Sequence, residues 1–313
     1  MFLKELKKTF VVLLLTACAT KSKAQIPKVS SGSIQHLENF PSRYLPARNV
    51  DVWLPDDYDP SKKYAVLYMQ DGRGLFDSTI LWNHQEWGVD ETMGRLLAAK
   101  KISNCIVVGI WNGEARRHAE YFPQQPFLLL TTEQQNALYN IRRNENTSLF
   151  ADSIQSDRYL QFMVDELKPY IDSHFSTYPD PEHTFVAGSS MGGLISLYAI
   201  CEYPGVFGGA ACLSTHWTGI FTTKDNPVPG AFLQYLEKKL PDPAHHKIYF
   251  DYGTQTLDSL YELYQQAVDA LMQSKGFSKK NWMTQKFIGA DHSENAWNKR
   301  LSIPVLFLLG KKK

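Results

Sequence analysis

Cysteine is scarce in this chain of 313 residues. There are four, at 18, 105, 201 and 212, with no Cys-x-x-Cys and no Cys/His spacing of the kind that binds zinc. That leaves no basis for a metal site or a disulfide framework. Net charge is nearly absent too. Thirty-three basic residues against 32 acidic ones give +1, which builds no field for nucleic acid. No internal repeat marks a solenoid, and the apolar run at residues 10–17 is too short to cross a bilayer.

What is present is an ordinary globular balance, 43% hydrophobic and 21% charged, enough to bury a large core. The N-terminus carries Lys4, Lys7 and Lys8 ahead of the short apolar run, the pattern of a secretory signal. Leu15-Thr16-Ala17-Cys18 resembles the bacterial lipobox, in which Cys18 is lipidated after cleavage. Ser22-Lys23-Ala24 fits ordinary cleavage after Ala24. Either route exports the protein, as a periplasmic or outer-membrane lipoprotein attached to the membrane through Cys18, or as a secreted one. The expected division is a signal peptide at 1–24, a flexible tether and N-terminal segment at 25–45, and one catalytic domain at 46–313.

Strand-like and helix-like segments alternate through that domain, which predicts an α/β fold with a mostly parallel central sheet and helices on both faces. Strands are expected at 49–54, 64–69, 105–110, 183–188, 209–214, 247–253 and 284–289. Several are continuous apolar runs, as in strands buried on both faces. Helices are expected at 86–100, 158–175, 193–203, 259–275 and 294–309, with Pro169 and Pro304 kinking or breaking two of them. Residues 123–156 fit no alternation and read as a lid or as a surface loop shielding the sheet edge.

Gly188-Ser189-Ser190-Met191-Gly192 matches Gly-x-Ser-x-Gly. An apolar strand leads into it and a small-residue apolar helix leads out, the strand–turn–helix of a nucleophile elbow. Ser190 is therefore the candidate nucleophile, and the amide of Met191 the candidate oxyanion donor. In such folds the acid and then the histidine follow in chain order. His292, in the loop after the last strand, is the candidate base. Asp258, in the loop after the strand at 247–253, is the preferred acid, although it also suits the N-cap of the next helix. Asp251, inside that strand, is the alternative.

Further segments carry a wider likeness. YMQDGRGLF, the Arg117-x-x-Glu120-Tyr121-x-Pro123 stretch, ELKPYID, VAGSSMGGLISLY, YPGVFGGAACLS and HSENAW together resemble a family of α/β-hydrolases. That family contains esterase D, bacterial feruloyl and acetyl-xylan esterases and the enterochelin esterases. The likeness spans about residues 49–309. It implies a serine esterase with no metal and no organic cofactor, with Ser190 and His292 as nucleophile and base and the amide of Arg73 as second oxyanion donor. The family's Gly-Thr-x-Asp is displaced here, since Gly253-Thr254 precedes Asp258 by two residues more.

Pocket walls are expected from Trp111, His216 and Trp217 at the carboxyl ends of strands, where ligands bind in open α/β sheets. Arg117 is expected to anchor an anionic group or to pair with Glu120. The expected substrate is a small-molecule or glycan ester, carrying acetyl or feruloyl groups. A ferric-siderophore trilactone, acyl transfer to a sugar, and a catalytically silent glycan-binding lipoprotein are the alternatives.

Overall fold

The computed structural model describes residues 25–311. The leader, with Cys18 and the cleavage point after Ala24, lies outside the described residues. Among the described residues ten strands run in chain order: β1 Ser33–Phe40, β2 Arg48–Leu54, β3 Ala65–Met69, β4 Cys105–Ile110, β5 Arg142–Asn144, β6 Thr147–Ser148, β7 Thr184–Ser189, β8 Gly209–Leu213, β9 Lys247–Gly253 and β10 Trp282–Phe287. Eight form one sheet in the order β1-β2-β4-β3-β7-β8-β9-β10, and β5 and β6 form a separate small hairpin. In this sheet every pairing from β4 to β10 is parallel, while β1–β2 and β2–β4 are antiparallel, so β2 alone runs against the other strands.

Apolar residues in the central strands face both ways because both faces are covered. Val66, Tyr68, Ile106, Val108, Val186 and Phe250 belong to one core, with Leu160, Leu194, Phe232 and Val268 from helices. The intervening Leu67, Val107, Ala187 and Tyr249 belong to the other, with Val89, Met93, Trp297 and Val305. This period of two, buried on both sides, is what turned these strands into continuous apolar runs.

The segment at 25–45 is not a loose tether throughout. Lys28 N–H and Ser30 N–H donate to Asp77 and Asp90 at 2.8 and 2.6 Å, and Ser33–Phe40 is an edge strand on β2. Its polar, largely exposed pattern is how an edge strand discourages further pairing, and it hides the strand from a search for apolar runs. Helix Val228–Lys239 was likewise unmarked, since Pro229 and Gly230 fill its first turn.

Prolines act where their missing N–H falls. Helical structure runs from Ser156 to His174, but through a π segment, Phe162–Leu167, that ends two residues before Pro169. Helix Glu294–Arg300 stops at Leu301 and restarts as Ser302–Leu309. Pro304 has no N–H for the Arg300 carbonyl four residues back. The stretch at 123–156 holds short helices Gln124–Leu128 and Thr132–Tyr139 followed by the β5–β6 hairpin. Its Phe127 and Leu130 are buried.

Candidate active site

β7 ends in a turn that places Ser190 at φ 57°, ψ −123°, and helix Met191–Glu202 starts at the next residue. A left-handed φ on a non-glycine residue costs energy that the surroundings must hold in place. Here Ser190 N–H donates to Leu213 O at 2.9 Å, and Ser190 O accepts from His216 N–H at 3.2 Å. Gly188 has no room for a side chain, and Gly192 is tightly packed. A Cβ on Gly188 would lie 2.6 Å from the Gly192 carbonyl, and one on Gly192 would lie 3.1 Å from Gln70 Cβ.

Asp258 and His292 meet across the loops that follow β9 and β10. His292 Nδ1 donates to Asp258 Oδ1 at 2.5 Å, and Asp258 is fully buried. Its other oxygen accepts from Gly253 N–H at 2.5 Å and Ser214 Oγ–H at 2.6 Å. A 3-10 turn, Thr256–Leu260, carries Asp258 back over the end of β9. That turn absorbs the two-residue displacement seen in the sequence. The two loops also lock together, with Thr254 and Gln255 N–H on Ala290 O and His292 N–H on Thr256 Oγ1 at 2.9 Å.

Asp251 does not reach His292's carboxylate position. It is buried in β9 and held by Arg300 through Nη2 to Oδ1 at 2.9 Å and Nε to Oδ2 at 3.2 Å. Burial pushes its pKa up, with Arg300 opposing. Arg300 also reaches Ser214 Oγ at 3.0 Å, as does Trp297 Nε1 at 2.9 Å. Ser214 thus links an inner Asp251–Arg300 pair to Asp258. Arg300 lies outside the quoted stretches, and nothing in YPGVFGGAACLS or HSENAW says that Ser214 and Trp297 meet it, because their partners lie far along the chain.

On the other side of Ser190, the loop after β3 turns through Asp71 at φ 58° into a 3-10 turn, Gly72–Gly74. Arg73 and Met191 each lie in the first turn of a helical segment, where amides have no acceptor within their own turn. The loop abuts the elbow, since a Cβ on Gly192 would also lie 3.2 Å from Asp71 Oδ2. Arg117 does not pair with Glu120. It grips Asp71 with Nε to Oδ1 at 2.6 Å and Nη2 to Oδ2 at 2.7 Å. Burial works against the guanidinium charge, but the Asp71 carboxylate outweighs it and raises the Arg117 pKa. Asn112 adds an N–H to Asp71 at 2.7 Å, and Glu120 pairs instead with buried Arg48 at 2.9 and 3.0 Å.

The remaining predicted walls divide. His216 is buried beside Ser190, with Nδ1 2.6 Å from the Tyr261 hydroxyl. Burial, then His118 and His292, drive its pKa far down. His118, ring-to-ring with His216 at 6.4 Å, gives its Nε2–H to Gly219 O and is held down to about 3 by burial. Trp217 is no rim platform. It is 2% exposed, with its indole N–H on Gln265 Oε1 at 2.9 Å and its ring beside Phe250. Trp111 is half-buried, with Nε1 on Asp51 at 2.5 Å and Arg73 over its ring. Among the described residues, no group of three or more His, Cys, Asp or Glu side chains is placed to share a metal.

A mostly parallel sheet, a Gly-x-Ser-x-Gly elbow after β7, and an Asp–His pair on the loops after β9 and β10 define an α/β-hydrolase. The family described as "Putative esterase" matches residues 45–308. The chain belongs to that family, and it is an esterase. Among curated proteins, it is 22% identical over 229 residues to the uncharacterized protein YjcH of Bacillus subtilis, covering 73% of this chain and 75% of YjcH. Its fold is shared with a ferulic acid esterase of Anaeromyces mucronatus at TM-score 0.60 and 17% identity, covering 93% of this chain and 94% of the other. It is also shared with the enterobactin esterase of Shigella flexneri at TM-score 0.59 and 17% identity, covering 90% of this chain and 60% of the other.

Proposed function

We propose that this esterase is a serine hydrolase in which Ser190, His292 and Asp258 act as nucleophile, base and acid. The observation that carries this reading is the buried Asp258 carboxylate at 2.5 Å from His292 Nδ1, on loops next to an elbow that strains Ser190. With Nδ1–H fixed, Nε2 is the basic nitrogen and takes the proton from Ser190 Oγ as it attacks the ester carbonyl. The amides of Arg73 and Met191 receive the oxyanion. Collapse breaks the C–O bond, and the alcohol leaves with the proton from His292. Water then repeats the sequence on the acyl-enzyme and frees the acid and Ser190.

Acetyl or feruloyl esters of glycans are the substrates we propose, in keeping with the feruloyl-ester relative in fold. A trilactone siderophore is the second reading. It draws on Arg143, which lies over Phe221 beside His216 and His118 with no acidic partner among the described residues. Turnover of a feruloylated oligosaccharide against that of a catechol trilactone separates the two, and failure on both discards both. We further propose export directed by the leader, through Cys18 lipidation or cleavage after Ala24. Intact mass of the mature chain decides: diacylglyceryl mass on Cys18 supports the anchor, and a start at Gln25 excludes it.

A further inference from the structure

A cavity of about 560 Å³ opens on the far side of the loop after β3. Its lining includes Arg48, Asn49, Arg73, Trp111, Asn112 and Glu120. The backbone of Arg73 belongs to the proposed oxyanion turn, while its guanidinium lies over the Trp111 ring with 5.6 Å to the centroid. A group held in this cavity would therefore lie beside the loop that carries the Arg73 amide. The lining is wrong for an acyl chain or an aryl ring, which call for mostly apolar walls.

We propose that this cavity holds a sugar ring of the glycan that bears the ester, on the alcohol side of the scissile bond. The proposal rests on the esterase reading above and adds a binding site to it. Hydroxyls of a sugar both donate and accept, and the cavity offers planar groups of both kinds. Arg48 and Glu120 sit together as a buried pair, and Arg48 Nε is buried with no hydrogen-bond partner among the described residues. That nitrogen is closed off from solvent, so the pair serves as a fixed polar wall rather than as a free donor. Asn49 uses its side-chain oxygen to accept from Asn39 N–H at 2.9 Å, while its amide nitrogen makes no hydrogen bond among the described residues. Trp111, held at its indole N–H by Asp51 and covered on one side by Arg73, adds to the lining an aromatic ring whose other face suits the C–H groups of a sugar.

The test is binding to the Ser190→Ala protein, which holds substrate without turnover. Xylotetraose, mannotetraose and cellotetraose are titrated by calorimetry. At least one is expected to bind saturably, with affinity falling about tenfold or more in Trp111→Ala. Asn49→Asp keeps the acceptor for Asn39, removes the amide donor, and is expected to weaken the same ligand severalfold even if the tryptophan variant does not fold. No binding by any of the three at millimolar concentration, or unchanged affinity in folded forms of both variants, overturns the proposal. Hydrolysis of nitrophenyl acetate by the unaltered protein is followed in parallel. Turnover without oligosaccharide binding discards this cavity alone, whereas binding without turnover discards the catalytic reading instead.

Discussion

Asp258 and Asp251 stand seven residues apart, yet one meets His292 at 2.5 Å while the other is clasped by Arg300 at 2.9 Å. Two buried carboxylates so placed have separable duties. Asp258→Asn removes the group that fixes the imidazole tautomer and is expected to cut kcat by roughly a thousandfold, with little change in Tm. Asp251→Asn leaves Arg300 buried beside a neutral amide and is expected to cost on the order of 3 kcal/mol of stability, with a smaller effect on turnover. Paired thermal melts and single-turnover rates read both, and the reverse pattern would exchange the roles.

Arg117 bears on rate through Asp71. Its two bonds hold the loop that ends in the Arg73 amide, and lysine cannot reproduce both. Arg117→Lys is expected to lower kcat by about ten- to a hundredfold with KM little changed, because the oxyanion contact is made only in the transition state. A change confined to KM would place Arg117 on the substrate instead.

Acid should unfold this protein through its buried imidazoles. His118 is held down to about 3 by burial, against an unfolded value of about 6.5. The unfolded chain therefore binds a proton that the folded one refuses, and stability is complete above the unfolded value. It falls as pH drops from about 6.5 toward 3. Urea midpoints measured from pH 7 to pH 4 should decline, and in His118→Phe the slope should flatten by about one proton. An unaltered slope would mean that His118 titrates normally.

The strands and the elbow were legible in the sequence because each is a local pattern with a fixed period or spacing, and Asp258 and His292 could be placed because each follows a recognisable strand. Pairs that join distant segments left no such trace. Arg117 has helical spacing to Glu120 but reaches 46 residues back to Asp71. Arg300 reaches 49 residues back to Asp251. Helical spacing brings two side chains to one face, and tertiary packing then offers each a better-placed partner. Trp217 turns inward where a rim position is expected, since residues just past a strand end lose the alternation that says which way they point. β1 leaves little trace because an edge strand is largely polar.

The central claim is that Ser190 is the nucleophile, and covalent trapping tests it most directly. A fluorophosphonate probe added to the intact protein should leave a single adduct, found on Ser190 by peptide mass, and should abolish hydrolysis of nitrophenyl acetate in step with labelling. Ser190→Ala should take no label and should lose all but a trace of turnover, as triad serines do at a cost on the order of a millionfold. An adduct on any other residue, or a Ser190→Ala protein that keeps more than about a hundredth of the original rate, would contradict the account.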